Sequence, residues 1–181
     1  MTKHWYLRLA TEADISAIAE LISLSVRTLQ AGFYTTEQIE GALGGVFGVD
    51  GQLIVDGTYF IAESHGRIAG CGGWSKRQTL FGSDRDRIGD NPVLDPEKDA
   101  ARIRAFFTHP DWARRGIATA ILCECESAIR AAGFSRAEMG ATLAGIPLYE
   151  ARGYTRIEEI GVRLAGGRSL PIVRMGKSWV P

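Results

Sequence analysis

No stretch of the 181-residue sequence is long and apolar enough to span a bilayer as a helix. The opening MTKHWYLRL is broken by Arg8 before it reaches the length of a signal-peptide core. Together these absences predict a cytoplasmic protein without a membrane partner. Charge of one sign is lacking as well: 21 basic residues balance 21 acidic ones, and no basic run is long enough to hold a polyanion, which excludes nucleic acid as a partner. Cysteine is scarce, with three residues at 71, 123 and 125, an odd number in no framework spacing. Cys123 and Cys125 stand two apart in a helical pattern and point to different faces, so no metal site is expected. Internal repeats and low-complexity tracts are also missing. With 45% hydrophobic residues, the length and composition predict one compact domain over residues 1–181.

What is present alternates between strand and helix. Tyr6 to Ala10 reads as a strand, and Thr11 with Asp14 forms a capping-box pattern ahead of a helix whose stripe is Ile15, Ile18, Ile22, Val26 and Leu29. A short helix is expected near Thr36. Tyr59 to Glu63 and Arg67 to Ser75, joined by Ser64-His65-Gly66, predict an antiparallel hairpin. Residues 78–99 carry Gly82, Gly89, Pro92 and Pro96 among many charges and predict a long exposed loop. A strand over Arg102 to Thr108 leads to a helix over Gly116 to Ala132 that buries Ile117, Ile121, Leu122, Cys125, Ala128 and Ile129. In that helix Glu126 and Arg130 are placed to pair, and Gly133 stops it. A strand at Ala137 to Thr142, a helix from Ile146 to Arg152 ended by Gly153, and two last strands complete a mixed α/β (α+β) pattern around one sheet.

The chemistry concentrates where the strand ending at Thr108 passes through His109-Pro110-Asp111-Trp112 into Ala113-Arg114-Arg115-Gly116-Ile117-Ala118-Thr119. A helix start exposes unpaired N–H groups and a positive dipole end, and small residues there let a phosphate approach the backbone. Gly116 and Ala118 are small, Arg114 and Arg115 bring charge, and Thr119 brings a hydroxyl. Gly70-Cys71-Gly72-Gly73-Trp74 is a second anomaly, because glycines inside a strand mark either a close approach of a ligand or a bulge beside a core tryptophan.

Taken together, FFTHPDWARRGIA resembles the coenzyme-A-binding motif of the GNAT superfamily, and Pro147-Leu148-Tyr149-Glu150-Ala151-Arg152-Gly153-Tyr154 resembles its tyrosine-bearing helix and Gly-aromatic pair. Ala113 stands where the motif usually has Gln or Arg, and Thr142 stands near the place of a common Asn. The resemblance implies a mostly antiparallel sheet of about seven strands with a splayed central parallel pair and helices on both faces. It implies an N-acetyltransferase that moves the acetyl group of acetyl-CoA to an amine-bearing acceptor by direct attack, without a metal. Phe106, Phe107 and Thr108 match the strand that pairs with the pantetheine arm. Arg114, Arg115, Gly116, Ile117, Ala118 and Thr119 match the pyrophosphate loop, and Tyr149 matches the acid that protonates the departing thiolate.

A phenol with an ordinary pKa near ~10 suits that role. The base is open between Glu63, Glu138 and ordered water. Arg102 and Arg104 alternate onto one strand face, where they are expected to meet Glu63 or Glu138, or else a substrate carboxylate. Trp74, Glu63 and Arg104 are the candidate acceptor contacts. A non-catalytic acyl-CoA sensor is the alternative function, and a homodimer is left open. A dinucleotide site would need a Gly-rich turn after the first strand, a context that Gly41 to Gly48 lacks.

Overall fold

In the computed structural model, which describes residues 4–83 and 91–179, the apolar alternation yields seven strands: β1 (Tyr6–Leu9), β2 (Tyr59–Ser64), β3 (Arg67–Ser75), β4 (Ala101–Thr108), β5 (Arg136–Thr142), β6 (Thr155–Arg163) and β7 (Ser169–Ser178). They form one sheet in the order β1-β2-β3-β4-β5-β7-β6, antiparallel throughout except for the parallel pair β4–β5. The expected architecture is the observed one. Among the described residues five α-helices surround it: α1 (Ile15–Leu29), α2 (Thr36–Ala42), α3 (Gly51–Val55), α4 (Ile117–Ala131) and α5 (Ile146–Ala151).

Each face of the sheet has its own apolar layer, because strand residues alternate between faces. On one face α4 sets Ile121, Leu122, Cys125 and Ile129 against Ala62, Ile103, Ala137 and Met139. On the other, α1 and α2 set Ile18, Leu21, Ile22 and Ile39 against Tyr59, Ile61, Cys71 and Ile172. The stripe of α1 differs from expectation at its start: Ile15 is 40% exposed and Leu21 is buried instead. In α4, Glu126 is buried and pairs with Lys177 on β7 at 2.9 Å, while the Arg130 Nε donates only to the Glu126 backbone carbonyl. The five-residue α3 carries too little periodicity to be read from sequence.

The capping box ahead of α1 is formed, and it is also an electrostatic hub. Asp14 accepts from the Thr11 backbone N–H at 2.7 Å and from both terminal nitrogens of Arg8 at 2.8 and 2.9 Å. The Arg8 Nε reaches Glu63 at 2.6 Å, and the Tyr6 hydroxyl donates to the same carboxylate at 2.7 Å. The Arg8 guanidinium holds the Asp14 carboxyl well below its usual range; the Tyr6 hydroxyl, then Arg8, lower Glu63. A carboxyl whose pKa is depressed by folding stabilises the fold above its unfolded value near ~4 and loses that contribution as pH falls through the folded value. Melting temperature should therefore drop between pH 5 and pH 3 with a steeper slope than in Arg8→Met. Equal slopes in thermal scans across that range would refute the assignment.

The 78–99 segment is corrected in part. Residues 84–90 lie outside the described residues. The described ends are not simply exposed: Ser83 and Leu94 are buried, Gln78 N–H bonds to the Pro92 carbonyl at 3.1 Å, and Leu94 N–H bonds to the Lys76 carbonyl at 2.8 Å.

Candidate active site

The site begins with a seam in the sheet. β4 and β5 are in register only at Ala101↔Ala137 and Arg102↔Glu138, and beyond Arg102 the two strands part. A bulge accompanies the parting. Cys71 faces Phe107 and Gly73 faces Arg104, so Ala105 and Phe106 together oppose the single residue Gly72. Ala105 takes a left-handed φ of 55°, a conformation that costs a non-glycine residue about 1–2 kcal/mol. Its carbonyl is fixed by the hydroxyl of Tyr59 at 3.2 Å.

The glycine run of β3 is what lets this happen. A Cβ on Gly72 would stand 2.7 Å from the Phe106 ring, one on Gly70 2.7 Å from Ile117, and one on Gly73 2.7 Å from the Thr58 carbonyl. Of the two readings of this run, the structure contains the bulge with a core tryptophan. Trp74 is buried under α4 and meets Phe134 edge-on at 6.3 Å.

Where the strands part, a cleft opens with about 70 Å³ of water-sized space. Ile103 to Phe107 line one side, and Met139, Gly140, Thr142 and Tyr149 line another. Val46 to Gly48, Leu80 to Gly82 and Ile172 close it. Tyr149, on α5, meets Phe106 edge-on at 6.3 Å and Tyr154 at 6.0 Å. Its hydroxyl pKa is raised rather than ordinary, first by burial and then by the neighbouring Cys125 thiol. Burial acts on thiols in the same way, pushing Cys71 up to about 12.

The loop ahead of α4 has the backbone of an anion cradle. Arg114 (φ 63°) and Gly116 (φ 80°) are both left-handed, an alternation that turns successive N–H groups to one side. A Cβ on Gly116 would meet nothing within 4 Å, so the approach to the helix start is open. Arg114 and Arg115 are exposed, and the Arg115 guanidinium lies 5.1 Å from the centre of the Trp112 ring. Ala118 and Thr119 are half-buried on the first turn. The Ile117 side chain is buried in the core, so that residue offers only its backbone N–H. His109 shapes the preceding turn, its Nδ1 accepting from the Asp111 N–H at 3.2 Å. Thr108, at the end of β4, donates its N–H to Ser25 of α1. Phe107 faces α1 and meets Phe47 edge-on at 6.3 Å.

Three candidates are placed elsewhere or already engaged. Glu63 belongs to the Arg8 hub, away from the cleft, and Trp74 is core; neither lines the cleft. Arg104 does line it, but its side chain is 2% exposed and ion-paired to the equally buried Asp50 at 2.8 Å. Its guanidinium also donates to the carbonyls of Thr79 and Gly82. Arg102 pairs with Glu138 as expected, at 2.7 Å, and Glu138 also takes two donors from Arg174, which occupies it as a base. Asp50, Phe47 and Phe81 escaped the sequence reading. The two phenylalanines had one signal: each is a single aromatic beside glycine in a loop, at Gly45-Val46-Phe47-Gly48 and Leu80-Phe81-Gly82.

Comparison with known proteins follows the same lines. A family model described as an acetyltransferase (GNAT) domain matches residues 55–156. A GCN5-related N-acetyltransferase from Rhodopseudomonas palustris superposes with a TM-score of 0.73 at 20% identity, covering 98% of each chain. PaiA N-acetyltransferase from Thermoplasma acidophilum, in complex with coenzyme A, gives 0.67 at 14% identity over 98% of this chain and 99% of that one. A GNAT family acetyltransferase from Brucella melitensis, in complex with acetyl-CoA, gives 0.59 at 14% identity over 99% and 91%. No curated protein matches the sequence significantly. The match covers more than half of the chain, including the seam, the left-handed loop and the tyrosine helix, and on that ground the chain belongs to the GNAT acetyltransferase family.

Proposed function

We propose that this chain, as one acetyltransferase domain, transfers the acetyl group of acetyl-CoA to a primary amine by direct attack. The observation that carries this reading is a single continuous path. It runs from the left-handed loop at Arg114 to Gly116, along the edge of β4 that β5 leaves, at Phe106 to Thr108, and into the cleft that holds Tyr149.

Each stretch has its task. The N–H groups at Gly116 to Thr119, with Arg114 and Arg115, bind pyrophosphate. The edge of β4 that β5 leaves after Arg102 offers backbone groups at Phe106 and Phe107 to an extended amide-bearing arm as a neighbouring strand would. Acetyl-CoA supplies an activated acyl group on a thiol leaving group. Tyr149 keeps its proton at neutral pH and holds it for the sulfur that departs. An amine entering the cleft loses water, and loss of water favours its neutral, nucleophilic form.

Acetyl-CoA should raise the melting temperature, since a ligand at 100 times its Kd stabilises the native state by about 2.7 kcal/mol. Gly116→Val should remove that shift, because a β-branched residue resists the left-handed φ that the cradle needs. Thiol release upon addition of an amine tests the transfer itself. Absence of any thermal shift at millimolar acetyl-CoA would sink the proposal, whereas a shift without thiol release from any amine would leave the non-catalytic sensor.

A further inference from the structure

Two segments that line the cleft, Val46 to Gly48 and Leu80 to Gly82, lie outside the loop and strand assigned to the cofactor. The ring of Phe81 rests on the bare backbone of Gly140: a Cβ there would stand 3.3 Å from the ring and 2.9 Å from Ile172. Beside it, Phe47 abuts Phe107. The strap that carries Phe81 is tied down at both ends. Arg104 holds the carbonyls of Thr79 and Gly82, Arg102 reaches the Gln78 carbonyl at 3.3 Å, and Ser83 bonds through its N–H and hydroxyl to the carbonyls of Gly45 and Gly44. The charges that do the tying are themselves neutralised, Arg104 by Asp50 and Arg102 by Glu138.

The geometry points to Phe81 as a specificity-determining residue that selects a compact amine with an apolar body over a polycationic acceptor. This rests on the acetyl-transfer reading and deepens it. Two effects act in the same direction. The lining contributes aromatic and aliphatic surface from Phe47, Leu80, Phe81, Phe107 and Ile172, which favours an apolar body at about 25 cal/mol per Å² of area buried. Every further ammonium carried into that lining loses hydration, and the neighbouring carboxylates Asp50 and Glu138 already hold guanidiniums. The reacting amine, by contrast, gains, since an apolar setting lowers its pKa toward neutrality. Size adds to polarity, because the Phe81 ring resting on Gly140 narrows the cleft from that side.

The test follows thiol release from acetyl-CoA by the full chain with isopentylamine, benzylamine, 1-naphthylmethylamine, spermidine and kanamycin. It compares wild type, Phe81→Ala and Phe81→Leu, with the acetyl-CoA thermal shift recorded on each sample. In wild type, kcat/KM for benzylamine or isopentylamine should exceed that for spermidine by at least about tenfold, the scale of discrimination an apolar pocket reaches. In Phe81→Ala the ratio of naphthylmethylamine to benzylamine should rise by about tenfold or more with the thermal shift unchanged. Phe81→Leu should move the ratio the same way by less, and decides the matter if the alanine variant does not fold. Spermidine or kanamycin turned over as well as the monoamines, or a ratio unmoved in the folded variants, would overturn the proposal. So would a retained thermal shift with no monoamine acetylated, which leaves the cofactor site intact. Loss of both the thermal shift and all thiol release would instead bring down the transfer reading on which the proposal rests.

Discussion

Tyr149→Phe is expected to lower turnover by about 10²–10³-fold while the stabilisation by acetyl-CoA stays within a few tenths of a kcal/mol, because only a proton donor is removed. The ring is what packs: its edge-on contacts with Phe106 and Tyr154 use carbon atoms that phenylalanine keeps. Both kcat and kcat/KM should fall together, as they do when an interaction made only in the transition state is lost. The raised hydroxyl pKa adds a second expectation: since the phenol gives up its proton above its ordinary value near ~10, the wild-type rate should show no phenol-dependent decline up to pH 10. A variant that releases thiol at the wild-type rate would exclude Tyr149 as the acid. One that loses its response to acetyl-CoA would make it a binding residue.

Arg104→Met should destabilise the fold by about 3–5 kcal/mol, the usual consequence of leaving one member of a buried ion pair alone. The 2%-exposed carboxylate of Asp50 would lose the Arg104 guanidinium, and the carbonyls of Thr79 and Gly82 in the strap over the cleft would lose the donor that ties them. Chemical denaturation should register the loss as a lower midpoint at unchanged m-value. The double variant Arg104→Met/Asp50→Leu should recover part of it, since the cost lies in the unpaired charge more than in the missing attraction. A single variant as stable as wild type would show that the pair contributes little beyond its own desolvation.

How much of this was legible in the sequence depended on how local the cause was. The loop before α4 could be read because a helix start, small residues and two arginines are neighbours in the chain, whereas the left-handed φ values at Arg114 and Gly116 came with the structure. Tyr149 was singled out through the resemblance of its segment to the family's tyrosine-bearing helix, and the structure sets it at the cleft. The bulge was not legible. Alternation correctly set Arg102 and Arg104 on one face, but the extra residue at Ala105 reverses the parity, so Phe107 joins the Arg104 face while Phe106 turns to Tyr149. Its trace lay on the partner strand, in the glycines of β3, where the cause of their smallness cannot be separated from ligand approach without the opposing residues. Partners of buried charges were the least readable. Arg104 meets an aspartate at the start of a five-residue helix, and Glu63 is taken by Arg8 through the β1–β2 register, neither of which a local pattern announces.

The seam between β4 and β5 has a consequence for how the protein comes apart. Backbone pairing at only two positions would leave β1–β4 and β5–β7–β6 as two half-sheets able to separate like independent leaves. Both apolar layers nevertheless cross the division. One joins Ala62, Ala69 and Trp74 to Met139, Val173 and Met175, and the other joins Ile61 and Cys71 to Leu170 and Ile172. Neither leaf can peel away without opening both layers to water at once, so side-chain packing rather than the hydrogen-bond ladder makes the two halves melt in a single cooperative transition.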